Sequence, residues 1–151
     1  MKTTVRAQIF IAATPEAIAQ VVLDPAKAVL WTSDLESFEV IPGPPGLVGS
    51  IAHLHYLQGG SRYVMEDKLL EVEPNRRYLS RVSGDALTAD VETSLAASPG
   101  GTHVVVRWTG SGRSPILRLI LPFMRRAIAR RAQADLVKLK QLVEPKSNLA
   151  T

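Results

Sequence analysis

Four clusters of turn-forming residues divide the middle of the chain: Gln58-Gly59-Gly60-Ser61, Glu73-Pro74-Asn75-Arg76, Ser83-Gly84-Asp85-Ala86 and Ser98-Pro99-Gly100-Gly101. The runs they separate, near 47–57, 62–73, 76–83, 87–97 and 102–110, read as strands. Consecutive strands joined by short turns form an antiparallel meander. Upstream, Val5, Ala7, Ile9 and Ile11 alternate with Thr4, Arg6, Gln8 and Phe10. That period of two marks another strand with one buried face.

Helix signals flank the strands. Thr14-Pro15-Glu16 supplies a cap and a proline for the first turn, and the helix it starts should reach about Leu23. Asp24-Pro25 repeats the signal for a second short helix ending near Trp31-Thr32-Ser33. Phe38 and Val40 belong to a further strand, stopped by Pro42-Gly43-Pro44-Pro45-Gly46. After Ser114-Pro115 comes a long helix. Its apolar stripe runs through Leu117, Leu121, Met124, Ile128, Ala132, Leu136 and Leu139 at spacings of three and four. Pro122 should kink or break it. The implied class is α+β: a seven-stranded curved antiparallel sheet around a long C-terminal helix, with two short helices between strands one and two. A sheet wrapped around a single helix leaves a hollow between them.

The 151 residues suit one domain over 1–144, with 145–151 as a flexible tail. The absence of cysteine excludes disulfides, thiolate metal sites and cysteine nucleophiles, and suits a cytoplasmic location. No apolar run approaches the length of a bilayer span, and the N-terminus reads as a strand rather than a signal peptide. The net charge of +4 is unevenly placed. Residues 113–144 carry eight Lys/Arg against two acids, a net +6, and the other ten basic and twelve acidic residues leave −2. Electrostatic partners should be met on that basic segment.

Several fragments in order carry a family resemblance. They are IAATPEAIAQVVLDPAKAVLW, GLVGS, LLEVEPNRRY, SPGGTHVVVRW and the closing DLVKLKQLVE. The chain resembles the START/Bet v 1-like (SRPBCC) superfamily and, within it, the polyketide cyclase/dehydrase-like group. The resemblance spans nearly the whole chain and implies the helix-grip fold. It specifies no reaction, because the superfamily includes lipid carriers, hormone receptors, cyclases and chaperone activators. The first helix has Ala19-Gln20-Val21-Val22 where the family often has an aromatic residue, which implies a less aromatic and roomier cavity.

Alternation alone leaves both faces of the strand after Gly49 mixed. The resemblance implies that Leu54 and Tyr56 point inward and that His53 and His55 point out. In the last strand Thr102, Val104, Val106 and Trp108 form the inward set, leaving His103 outside. A His-x-His pair, about 7 Å apart, can ligate a metal. A catalytic zinc usually needs a third protein ligand, and His103 lies on a strand expected far away. No metal and no cofactor is therefore expected. GPPGLVG, with its prolines and no following helix, is no phosphate loop.

The expected function is binding or transport of a small hydrophobic molecule: a lipid, quinone, isoprenoid or polyketide-like compound. Expected ligand-binding residues are Trp31, Phe38, Leu54, Tyr56, Trp108, Leu117, Leu121 and Met124. Ordinary core packing is the competing reading of each. Access is expected near 42–46, with a hinge at Gly110–Gly112. A polyketide cyclase/dehydrase-type enzyme is the alternative. Glu66 and Asp67 are adjacent, so one must face inward, where a carboxylate or a tyrosine can move protons; the competing reading is a surface acid. The basic segment either covers apolar surface with arginine stems or touches an anionic membrane through residues 113–131. Nucleic acid is not expected, because no exposed aromatic platform accompanies the arginines. Monomer and homodimer both remain open.

Overall fold

A computed structural model describes residues 2–41 and 47–144. The chain forms β1 (Thr3–Ile11), α1 (Pro15–Val22), α2 (Pro25–Trp31), β2 (Leu35–Val40), β3 (Ile51–Gln58), β4 (Ser61–Glu73), β5 (Arg77–Ser83), β6 (Leu87–Ser98) and β7 (Gly101–Gly112). Then come α3 (Pro115–Ile120), a 3₁₀ turn (Leu121–Met124) and α4 (Arg125–Val143). The seven strands form one antiparallel sheet in the order β1-β7-β6-β5-β4-β3-β2. The Pro-rich 42–46 connector and the 145–151 tail lie outside the described residues.

Local chemistry explains the boundaries. The side chains of Thr14, Asp24 and Ser114 accept from the backbone N–H groups of Ala17, Ala26 and Leu117 at 3.2, 2.9 and 3.1 Å. Each cap precedes a proline that starts the helix, where its missing N–H costs nothing. Pro122 cannot donate to the ladder, and the helix breaks there into the 3₁₀ turn. The two-residue turn between β3 and β4 needs positive φ at both positions. Gly59 and Gly60 supply it at 58° and 82°.

The core lies at one end of the sheet. Ile11, Ile18, Val104, Leu136 and Leu139 are essentially inaccessible and pack with Leu69, Tyr78 and Leu95. α4 lies along β1 and also touches α1 and α2. Its C-terminal end is tied down by Glu144, which accepts from the Ala12 N–H at 3.0 Å and from Lys140 Nζ. Lys140 Nζ also donates to the Phe10 carbonyl at 3.0 Å.

Gly110 and Gly112 do not form a free hinge. Both lie within β7, paired with Ala89 and Leu87 of β6. A Cβ on Gly110 would overlap three atoms of the Trp108 indole, and one on Gly112 would meet Leu117 and Arg118. Gly110→Ala is therefore expected to cost about 1–3 kcal/mol through overpacking, read as a lower urea midpoint with an unchanged m-value. An unchanged midpoint would show that the indole can leave that position freely.

Candidate functional site

Directly opposed residues share a sheet face, so the strand register defines one wall. Leu54 and Tyr56 of β3 oppose Met65 and Tyr63 of β4. Asp67 opposes Val82 of β5, which opposes Ala89 of β6 and then Gly110 of β7. Ser80 leads in the same way to Val91 and Trp108. This face looks toward α4. Its far end, at Leu69, Tyr78, Leu95 and Val104, is buried. Nearer the sheet's other end, Met65, Asp67, Ser80, Val82, Val91 and Trp108 are only half-buried. The helix follows the β1 edge, so the middle strands are covered closely at one end and loosely at the other. The expected hollow would lie at that loosely covered end.

A second apolar cluster, Ala28, Leu35, Leu54 and Tyr56 with Phe38, Met65 and Val82, forms its side nearest β2. Trp31 packs instead against the main core, at the junction of the two clusters. Its indole N–H is buried and has no hydrogen-bond partner among the described residues. Tyr56 stacks on Tyr63 at 5.0 Å between ring centroids. The Arg131 guanidinium lies 5.6 Å from the centre of the Tyr56 ring. The same arginine donates to the Ser33 carbonyl at 2.8 Å. Asp135, one turn on, accepts from the Ser33 N–H at 3.0 Å and from its hydroxyl. These bonds fix α4 to the corner between α2 and β2.

Electrostatics single out Asp67. Burial pushes its carboxyl up to about 6; the Ser80 hydroxyl opposes that shift only in part, and no cation contributes. Burial also pushes the Tyr56 hydroxyl up to about 12, with Arg131 opposing and Asp67 adding to the rise. The neighbouring Glu66 is exposed on the outer face, opposite His53. Adjacent strand residues point to opposite faces, so the two acids have different environments.

The outer face is polar. The Glu39 carboxylate sits 3.7 Å from His53 Nδ1 and 3.3 Å from His55 Nε2. His103, on β7, is separated from β3 by three strands. Among the described residues, no group of three or more His, Cys, Asp or Glu side chains could hold a metal ion. Arg81 forks onto Asp90 at 2.8 and 3.3 Å, which lowers the Asp90 carboxyl. A depression of about 490 Å³ near His53, Glu66, Asp85 and Arg113 is polar and wide open, and encloses nothing.

The expected ligand-binding residues divide. Leu54 and Tyr56 are buried on the inward wall, while Trp108 and Phe38 are half-buried there. Leu121 is buried, Leu117 is half-buried and Met124 is exposed. Sequence reasoning missed Ser80 and Arg131. Alternation with Tyr78 and Val82 would have placed Ser80 on the inward face. Nothing local marks Arg131, whose role depends on where α4 docks.

No curated protein matches the chain at a significant level. Solved structures do. The Zhui aromatase/cyclase from Streptomyces sp. R1128 superposes with a TM-score of 0.80 at 16% identity, covering 97% of this chain and 96% of that one. TTHA0849 from Thermus thermophilus gives 0.74 at 21%, covering 93% and 97%. Ara h 8.0201 gives 0.73 at 17%, covering 95% and 98%. At these identities the likeness is one of fold. The family model described as "Polyketide cyclase / dehydrase and lipid transport" matches residues 2–144. With nearly the whole chain matched and a long helix packed on a seven-stranded sheet, this protein belongs to that family, within the SRPBCC/Bet v 1-like superfamily.

Proposed function

We propose that the chain binds a small hydrophobic molecule carrying a hydrogen-bonding group, held between the inward wall of the sheet and α4. The observation that carries this reading is Asp67: a half-buried residue on a loosely covered apolar wall, whose carboxyl is partly desolvated with no cation offsetting it. A hollow used only for packing would gain nothing from such a group. Protonated, it donates to a ligand oxygen; ionised, it accepts from a ligand hydroxyl. The orphan Trp31 N–H is a second donor, whose desolvation costs about 1–3 kcal/mol until something accepts from it. A ligand hiding about 300 Å² of apolar surface would gain roughly 7 kcal/mol before the costs of association, so tight binding also needs the hydrogen bonds that Asp67 and Trp31 offer.

A cyclase or dehydratase reaction is the second reading, and Asp67 favours it too. A carboxyl titrating near 6 can take and return a proton near neutral pH. Glu66, on the outer face, has no access to a molecule in the hollow.

Denaturing extraction of the purified protein against a mock purification, read by mass spectrometry, is expected to yield a hydrophobic compound. Titration with 1-anilinonaphthalene-8-sulfonate follows the same site without knowledge of the ligand. Val91→Phe, which fills the wall between Ser80 and Trp108, should weaken probe binding roughly tenfold or more while the protein stays folded. Unchanged affinity would remove the hollow as the site. Conversion of the recovered compound by the native protein but not by Asp67→Asn would favour the enzyme.

A further inference from the structure

We propose that the surface formed by α3 and the 3₁₀ turn docks on an anionic lipid bilayer. Ile116, Leu119 and Phe123 are 71%, 73% and 86% exposed, and Ile120 is exposed beside them. They fall at i, i+3, i+4 and i+7, which places them along one side of the segment. Its other side is already used: Leu117 rests on Gly112, and Leu121 is buried. The segment is thus apolar on two sides and partnered on one, although folding requires only the inner one.

Charge selects the occupant. No Asp or Glu occurs between residues 114 and 134, while Arg118, Arg125, Arg126 and Arg130 are exposed there. Arg125, Arg126 and Arg130 make no hydrogen bond or ion pair among the described residues. Apolar side chains that can enter the headgroup boundary, ringed by uncompensated arginines that can meet lipid phosphates, match an anionic membrane surface. A second copy fits poorly. A two-fold interface would set the same arginines of both copies against each other. No helix among the described residues is long and apolar enough to cross a membrane, so the contact would be peripheral. α3 follows directly from Gly112, beside the loosely covered end of the sheet. The docking surface therefore adjoins the open end of the hollow, but it does not depend on what the hollow holds.

The test is sedimentation of the full chain with phosphatidylcholine vesicles, with and without phosphatidylglycerol, at low and high salt. Binding is expected only with phosphatidylglycerol, and should weaken as salt screens the arginines. Ile116→Ser with Phe123→Ser, and separately Arg125→Glu with Arg126→Glu, should each reduce partitioning roughly tenfold or more. All four side chains are exposed, so thermal unfolding should hardly move and a loss of binding cannot be a loss of fold. Equal binding to both vesicle types, or binding that both double variants retain, would overturn the proposal. So would a dimer, seen by sedimentation velocity, that Phe123→Ser dissociates, since that would assign the patch to a second copy.

Discussion

Asp67→Asn is expected to stabilise the protein at about pH 7.5 by up to about 3 kcal/mol, and to remove a pH dependence that the native chain shows between about pH 4 and pH 6. The sign follows from the direction of the shift. The carboxyl titrates near 6 in the folded chain against 3.8 for an unperturbed aspartate. As pH rises between these values, the unfolded chain loses its proton first, and stability falls. Above the folded value the penalty is complete; below about 3.8 it is absent. Asparagine resembles the protonated acid in shape and keeps a group that can pair with Ser80, but it has no charge to desolvate. Urea midpoints from about pH 3.5 to about pH 8 measure the effect. Parallel curves for the two proteins would mean that water reaches Asp67 freely, and the hollow would lose its buried carboxyl. If the curves diverge as expected, the native chain retains a destabilising group. Such groups persist where they serve binding or proton transfer.

Leu139→Ala should cost about 3 kcal/mol, within the 2–5 kcal/mol typical of emptied leucine sites. Leu139 is fully inaccessible, and so are Ile11 and Val104 in the same cluster. These neighbours belong to strands locked by pairing on both sides or by α4 itself, so they cannot collapse into the space. The control lies on the same helix. Val137 is 40% exposed, and Val137→Ala should change stability by no more than about 0.5 kcal/mol. Near-equal midpoints for the two variants would mean that α4 does not close the core at this end. Ligand binding should survive Leu139→Ala under native conditions, because the proposed site lies at the other end of the sheet. Val91→Phe should show the reverse pattern, with binding lost and the fold kept.

Much of the architecture was legible because its punctuation is local. Thr14-Pro15, Asp24-Pro25 and Ser114-Pro115 each combine a side-chain acceptor with a preset φ, and all three start helices. Gly59-Gly60 and Asn75 supply the left-handed residues their turns need. The site was only partly legible. Period-two alternation identifies Glu66 and Asp67 as pointing opposite ways, but not which one points in. For β3, the family resemblance supplied the phase that the mixed residues left open. The reading of Gly110–Gly112 as a hinge failed because glycine has two uses. Here the missing Cβ makes room for Trp108 and for α3, rather than freeing the backbone.

The resemblance to a known family supplied the helix-grip class; by itself, the sequence determined the order and kind of the elements, the break at Pro122 and the basic character of the final segment. The features it determined by itself rest on interactions within a few residues or on summed composition. Only the tertiary structure decided that α4 follows the β1 edge and leaves the middle strands half-covered, that Asp67 rather than Glu66 faces that gap, and that Arg131 reaches Tyr56 while Asp135 holds Ser33. Each depends on the position of a helix relative to strands far away in the chain. Packing among distant side chains sets that position, and no local pattern encodes it.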